Sequence, residues 1–242
     1  MCIVTFIPGR ESLYITSNRD EKLSRNIAAP PSLQLYAGKK IIFPSDGDAG
    51  GTWIAIKENG DVAVLLNGAF IKHLPKPPYR KSRGIILLDI LAGDFPSDKF
   101  IKTSLKKIEP FTIIILENKL LYKFRWDGNK KYCKKLAPEK PYIWFSATLY
   151  DGLFMKNREK MFLSFLKENP VPTQLDIMNF HKMVGGNYLN NEQMKNQNET
   201  HNTVSITGIL INDDKGVMKY IDLLNKKKSE INIRLSGIHT AV

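Results

Sequence analysis

Cysteine is scarce in this sequence, which has only Cys2 and Cys133 among its 242 residues. So few cysteines cannot form the disulfide framework of a small secreted domain, and they favour a reducing compartment, the cytoplasm. Histidine is also scarce, and the four histidines show no spacing typical of metal ligands. We therefore predict a fold that needs neither a disulfide nor a metal, and we expect no cofactor.

Long apolar runs are absent as well. No segment approaches the roughly 20 apolar residues of a membrane-spanning helix. The first apolar run, CIVTFI at residues 2–7, is too short for the hydrophobic region of a signal peptide. The sequence also lacks internal repeats and a linker-like segment. We expect one domain, residues 1–224, followed by a frayed, Lys-rich tail at residues 225–242.

Acidic residues are outnumbered, since 24 Asp and Glu against 36 Lys and Arg give a net charge of +12. Such a balance makes nucleic acid an alternative partner. However, the basic residues are spread along the chain in pairs and triplets, and most are Lys, whereas base recognition favours Arg. No RNA-binding aromatic motif or Gly-rich phosphate loop accompanies them. We therefore expect no specific nucleic-acid partner.

The N-terminus predicts a β-hairpin. Residues 2–7 and 13–16 are rich in β-branched residues, and the PGRE segment between them is typical of a turn. If the last residue of the first strand faces the first residue of the second, antiparallel pairing places Cys2 opposite Asn18. Arg19 and Asp20 would then lie next to this pair, and a slip of one residue would still leave the groups neighbours.

The rest of the chain alternates between strand and helix patterns. Further strands are predicted at residues 40–43, 52–56, 62–66, 111–116, 120–126, 131–136, 142–145, 203–212 and 217–223. Helices are predicted at residues 82–91, 97–108, 151–168 and 174–183. Ser97 is the expected N-cap of the second helix. Residues 22–50 are otherwise expected to be loop, and residues 185–199 a mobile loop. This order indicates an α+β fold in which two stacked, mostly antiparallel sheets have helices outside.

Cys2 is the residue with the most distinctive chemistry. Removal of Met1 would leave a thiol and a free α-amine on one residue. The amine titrates near ~8 and the thiol near ~8.5, so proton transfer between them is nearly balanced. Such a residue combines a nucleophile with its general base. Arg19 would favour the thiolate, and Asp20 would hold the amine.

These residues also have purely structural interpretations. Cys2 could be a small core residue that starts a strand. Asn18 and Glu21 have the spacing of a helix capping box, which needs no catalysis.

Two glycine-containing segments are further candidates for a site. Asn67-Gly68 at the end of a strand could supply an amide to a developing oxyanion, although the pair is also typical of a turn. Gly50-Gly51 indicates either a bulge or a close approach of the backbone to a ligand.

Several short motifs together resemble the NRDE-motif family, which includes the transport-and-Golgi-organisation proteins. These motifs are MC at the start, S-NRDE at 17–21, GGTW at 50–53, LLNG at 65–68, SRG at 82–84, RWDG at 125–128, SATLY at 146–150, FH at 180–181 and TVSIT at 203–207. The resemblance covers residues 1 to about 223 and implies an N-terminal-nucleophile (Ntn) hydrolase-like αββα sandwich.

The resemblance extends to the Ntn amidases, which cleave non-peptide amide bonds. By position it implies that Cys2 is the nucleophile and its α-amine the base. It further implies that Arg19 stabilises the thiolate, that Asp20 holds the amine and that Asn67 serves the oxyanion.

The resemblance also implies substrate-binding residues. These are Asn18, Trp53, His201 and Thr203. The sequence departs from many relatives at Ala147, where they have Asn. The amidases also use a basic residue late in the chain, and the nearest candidates for it in this sequence are His201 and the adjacent Asn202.

Two functions follow from the resemblance. The first is cleavage of an amide C–N bond in a small molecule. The second is non-catalytic carriage of haem or another hydrophobic ligand, which has been proposed for eukaryotic relatives.

Overall fold

A computed structural model describes residues 3–150, 152–185 and 201–236, with the backbone alone at residue 201. Cys2, the predicted nucleophile, lies outside these residues. The predicted mobile loop also lies outside them except for Gly185, which ends a helix.

Strands form two sheets in which neighbouring strands are antiparallel. The first sheet has the order β10-β1-β2-β11-β12-β13. Its strands are β1 (Ile3–Pro8), β2 (Leu13–Lys22), β10 (Tyr142–Phe145), β11 (His201–Ile211), β12 (Lys215–Asp222) and β13 (Lys227–Arg234). The second sheet has the order β3-β4-β5-β6-β7-β8-β9. Its strands are β3 (Ala29–Tyr36), β4 (Lys39–Ser45), β5 (Ile54–Lys57), β6 (Val62–Asn67), β7 (Phe111–Glu117), β8 (Leu120–Trp126) and β9 (Lys131–Leu136).

The helices cover the outer faces of the two sheets. They are α1 (Arg83–Leu91), α2 (Pro96–Lys102), α3 (Gly152–Glu168) and α4 (Gln174–Gly185). One apolar core lies between the sheets, a second between the second sheet and α1 and α2, and a third between the first sheet and α3 and α4. The predicted α+β sandwich with helices outside is therefore confirmed.

Side-chain alternation along β1 separates two of these cores. Val4 and Phe6 belong to the core between the sheets, whereas Ile3 and Ile7 face α3 and α4. The hairpin is also confirmed, but Ile7 pairs with Tyr14 rather than with Leu13. The predicted register is thus wrong by one residue, because the turn is shorter than the sequence signal indicates.

Helix α1 begins where predicted, whereas α2 does not. The Ser82 side chain caps α1 by accepting a hydrogen bond from Ile85 N. Helix α2 starts at Pro96 and ends at Lys102, well before residue 108. Ser97 is not its N-cap, because it lies inside the helix and the N-cap position is Phe95. The Ser97 hydroxyl and amide both donate to the carboxylate of Glu117.

Two edge strands occupy segments that the sequence predicts as loop or tail. Strand β3 includes Pro30-Pro31, which an edge strand tolerates because one row of its amides needs no partner. Strand β13 pairs with β12 from Lys215↔Arg234 to Asp222↔Lys227. The prediction of a frayed tail after residue 225 is therefore wrong for this segment.

No helix within the described ranges is long and apolar enough to cross a membrane.

Candidate active site

The Asn18-Arg19-Asp20 segment lies in the middle of strand β2, between β1 and β11. The three residues are at most 3 % exposed. A strand excludes the capping-box interpretation of Asn18 and Glu21, because that motif requires the first turn of a helix. Since neighbouring residues of a strand point to opposite faces, Arg19 and Asp20 lie on different sides of the sheet.

Arg19 points into the space between the two sheets. Its Nη2 lies 2.7 Å from Asp46 Oδ2, and its guanidinium carbon lies 5.1 Å from the centre of the Trp53 ring. Arg25 binds the other oxygen of the same carboxylate, with Nη2 2.8 Å from Asp46 Oδ1. Burial acts to raise the pKa of Asp46, but hydrogen bonds from Arg25, from the Ala49 amide and from Arg19 hold it well below its usual range.

A cavity of about 470 Å³ opens beside this ion pair. Three predicted site residues line it, namely Arg19, Trp53 and Asn67. The structure thus brings together the predicted cation, the predicted oxyanion donor and one predicted substrate contact. Arg83 and Glu109 also line the cavity, and their side chains pair at 3.2 Å.

Asn67 is the last residue of β6, and its side chain is available to a ligand. The backbone carbonyl of Asn67 accepts hydrogen bonds from Ser146 Oγ at 2.9 Å and from Ala147 N at 3.0 Å. In contrast, Asn67 Oδ1 is buried and has no partner among the residues that the structure describes. Gly68, which follows, has a φ of +78°, so the chain turns there as the Asn-Gly pair indicates.

Trp53, which also lines the cavity, has a buried polar group without a described partner. The residue is 2 % exposed, and its Nε1 finds no acceptor in the described part of the chain. Buried N–H groups of this kind normally have a partner.

Asp20 points away from the cavity, towards the helix layer. Tyr150 donates its hydroxyl to Asp20 Oδ2 at 2.6 Å, and Thr203 Oγ1 donates to Asp20 Oδ1. Thr203 Oγ1 also lies 2.7 Å from the carbonyl oxygen of Gly185. Thr203, a predicted substrate-binding residue, is thus in contact with the predicted catalytic carboxylate rather than with the cavity.

Asn18 is part of a buried network with α4. Its Nδ2 donates to the His181 carbonyl at 3.1 Å, and its Oδ1 accepts from His181 Nδ1 at 2.6 Å. The other ring nitrogen, Nε2, lies 2.8 Å from Thr5 Oγ1, so it accepts that hydroxyl. Burial lowers the pKa of His181 to about 3, which keeps the ring neutral. The network joins β1, β2 and α4.

The glycine pair before Trp53 serves packing. A Cβ on Gly51 would lie 2.6 Å from backbone atoms of Gly84 and Ile85. Gly51 therefore allows the backbone to approach the start of α1, and it also lines the cavity.

Several residues of the site have no counterpart among the sequence predictions. Four of them line the cavity, namely Arg25, Asp46, Arg83 and Glu109. The other two, Tyr150 and His181, bind Asp20 and Asn18 on the opposite face of the sheet. The FH motif at 180–181 was the only sequence signal for His181. Of the other predicted residues, His201 is described only in its backbone, which lies in β11 and pairs with Lys22 of β2.

Two antiparallel sheets stacked between helix layers are the Ntn-hydrolase fold, and solved structures of that fold resemble this one. A variant of conjugated bile acid hydrolase from Clostridium perfringens matches with a TM-score of 0.62 and 11 % identity, over 96 % of this chain and 92 % of that one. The Caenorhabditis elegans orthologue of N-acylethanolamine-hydrolyzing acid amidase matches with a TM-score of 0.57 and 12 % identity, over 86 % and 92 %.

The family is more specific than the fold. The model of the Transport and Golgi organisation 2 family matches residues 1–238, so the chain belongs to that family. A comparison with the curated proteins finds no match.

Proposed function

We propose that this protein is an N-terminal-nucleophile cysteine hydrolase that cleaves an amide C–N bond of a small molecule. Cys2, exposed by removal of Met1, would be the nucleophile. The observation that carries the proposal is the meeting of Arg19, Asn67 and Trp53 around one cavity.

The position of residue 2 in the chain supports this assignment. Its Cα can be no more than about 3.8 Å from that of Ile3, the first described residue. Val4 and Phe6 face the space between the sheets. If the alternation of β1 continues, we expect the thiol on the same side of the sheet as Arg19.

We propose Asp20 as the partner of the α-amine. Its carboxylate accepts hydrogen bonds from the hydroxyl groups of Tyr150 and Thr203. The two hydroxyl groups also fix the orientation of the carboxylate.

The reaction would follow in two steps. The α-amine takes the thiol proton, and the thiolate attacks the amide carbon to form a C–S bond. The Asn67 amide donates to the resulting oxyanion, and such a donor typically contributes about 3 kcal/mol. The ammonium then gives its proton to the departing nitrogen as the C–N bond breaks. Water hydrolyses the thioester by the reverse sequence of proton transfers and regenerates the thiol.

The state of the N-terminus is the first test. The intact mass should show that Met1 has been removed. A retained Met1 would block the amine and refute the proposal. Iodoacetamide near pH 7 should then modify Cys2 much faster than Cys133. Cys133 is a suitable comparison, since it is free and partial burial raises the pKa of its thiol.

Activity is the second test. A panel of small amides should be cleaved by the wild type and by Cys133→Ser but not by Cys2→Ala. The alternative function, carriage of haem or an apolar ligand, is less well supported by a cavity with so many charged side chains. A haem titration of the Cys2→Ala protein that shifts the haem spectrum, with no amide cleaved by the wild type, would favour that alternative. We also place the protein in the cytoplasm, where thiols stay reduced.

A further inference from the structure

Three basic side chains share one face of strands β8 and β9. Leu121 of β8 packs into the core between the sheets, so Lys123 and Arg125, two and four residues further along, lie on that same face. In β9, Lys134 pairs directly with Lys123. Lys123 and Arg125 are half-buried, and Lys134 is exposed. The three cations therefore form one group at the edge of the second sheet, which we call the β8–β9 cluster.

No carboxylate neutralises this cluster within the described ranges. Residues directly opposite in an antiparallel pair have Cβ atoms about 5 Å apart, and like charges in that arrangement destabilise a sheet. None of the three side chains forms an ion pair or a hydrogen bond with a described residue. Burial lowers the pKa of Lys123, and the charges of Arg125 and Lys134 lower it further. Repulsion within the cluster thus acts against folding.

The carboxylate that follows β8 is already engaged. Asp127 Oδ1 accepts hydrogen bonds from two amides of the next turn, at 2.7 and 2.6 Å. Asp127 Oδ2 accepts the hydroxyl of Tyr132 at 2.9 Å. By comparison, the half-buried Arg83 has a carboxylate of its own, that of Glu109 at 3.2 Å. The β8–β9 cluster has no such partner in the part of the chain that is described.

Arg125 is held in place by contacts that use none of its donors. Its guanidinium carbon lies 4.5 Å from the centre of the Phe70 ring, and Tyr132 packs edge-on against that ring at 4.9 Å between centroids. A guanidinium on the face of a ring keeps its N–H groups free for an anion in its own plane. One of these donors, Nε, is buried without an acceptor among the described residues, although such groups are normally paired.

We propose that Lys123, Arg125 and Lys134 bind a phosphate group, either of a soluble phosphate ester or of a lipid headgroup. A phosphate has up to two negative charges and three acceptor oxygens, so three cations favour it over a carboxylate. Its binding replaces repulsion among the cations with attraction to each of them. None of the three residues lines the cavity that contains Arg19, so the site does not depend on the proposed function.

Two probes of the full-length protein test the two sources of phosphate. Calorimetric titration with glycerol 3-phosphate at constant ionic strength tests the soluble ester, with glycerol as the uncharged comparison. Sedimentation with phosphatidylcholine vesicles that contain or lack phosphatidic acid tests the headgroup. At least one phosphate probe should bind saturably, whereas glycerol and the pure phosphatidylcholine vesicles should not bind.

Variants locate the phosphate. Lys123→Gln, Arg125→Gln and Lys134→Gln should each weaken its binding about tenfold, because each removes a charge-assisted hydrogen bond. Lys135→Gln is the matched control. It removes the same charge from the next exposed position of β9, but Lys135 pairs with Tyr122 and lies on the other face of the sheet. This control should bind the phosphate probes as the wild type does.

Thermal unfolding without phosphate gives a second readout. Lys134→Gln relieves the repulsion of Lys123, so its melting temperature should rise by about 2 °C. Lys135→Gln should leave the melting temperature unchanged. A site that costs stability when empty should thus be recognised by opposite effects of one substitution on stability and on binding.

The outcomes separate the sources of phosphate. Saturable binding of glycerol 3-phosphate assigns the site to a soluble ester, and binding of the phosphatidic acid vesicles alone assigns it to a headgroup. The inference is overturned if neither probe binds, or if Lys135→Gln weakens binding as much as the variants of the cluster do. A lower melting temperature for Lys134→Gln would also overturn it, because the three charges would then not repel one another.

Discussion

His181 should make the stability of this protein depend on pH in a range where few other groups titrate. The ring is fully buried, and its hydrogen-bond partners Thr5 and Asn18 carry no charge. No partner therefore stabilises the imidazolium, and burial lowers the pKa of His181 from 6.5 to about 3. The perturbation that we consider is a change from pH 7 to pH 5.

The sign follows from the two pKa values. The unfolded chain binds a proton at His181 below about pH 6.5, whereas the folded protein does not until about pH 3. The stabilisation is thus fully present above about pH 6.5 and is lost as the pH falls towards 3. Each unit of difference corresponds to about 1.4 kcal/mol, so the change to pH 5 should cost about 2 kcal/mol.

Urea unfolding at pH 7 and pH 5 measures this loss. The free energy of unfolding of the wild type should fall by about 2 kcal/mol more than that of His181→Gln, which has no titratable ring. The carboxylates with lowered pKa values, such as Asp46 and Asp176, titrate in both proteins and cancel in the comparison. An equal change in the two proteins would falsify the assignment of a buried neutral imidazole.

Two further predictions concern the surroundings of β2. Gly185→Ala should lower the free energy of unfolding by about 2 kcal/mol, because the new Cβ would clash with Asn18 Nδ2. In Gly152→Ala, where nothing lies within 4 Å of the new Cβ, the free energy of unfolding should be unchanged or rise by up to about 1 kcal/mol. Equal effects of the two substitutions would refute the close contact at Gly185. Asp46→Asn should cost about 3 kcal/mol at pH 7, because it removes the carboxylate that lies 2.7 Å from the buried Arg19 and leaves Arg19 only the more distant Glu21, at 3.9 Å. The lowered pKa of Asp46 stabilises the fold fully above about pH 4, and this stabilisation is lost as the pH falls further. The cost of Asp46→Asn should therefore be smaller at about pH 3 than at pH 7, and urea titrations at the two pH values measure the difference.

The sequence predicted the strands with strong apolar character and the layers that they form. It missed β3 and β13, because both are edge strands whose exposed residues carry proline or lysine in place of alternating apolar residues. It also ended β2 too early. The second half of that strand is polar, and its burial depends on β11, which lies far away along the chain.

The site was predicted in part. Arg19, Trp53 and Asn67 do meet at one cavity, and the Asn18 and Asp20 side chains lie behind the sheet. The second half of the cavity came from loops and from the start of α1. A residue such as Asp46, within a Ser-Asp-Gly-Asp segment, has the local pattern of an ordinary surface turn. Its pairing with two arginines is a property of the tertiary structure and cannot be recognised from the spacing of residues along the sequence.

Successive side chains of strand β2 point to opposite faces of the sheet, so the environment of a residue repeats every two positions. Arg19 serves the cavity and Asp20 the helix layer only because their positions along the strand are odd and even. An insertion or deletion of one residue between positions 13 and 18 would exchange the two environments, placing a carboxylate among the cations and a guanidinium among the hydroxyl groups. A change of two residues would preserve them. Natural variation in the length of this strand should therefore occur in steps of two, unless a bulge absorbs the odd residue.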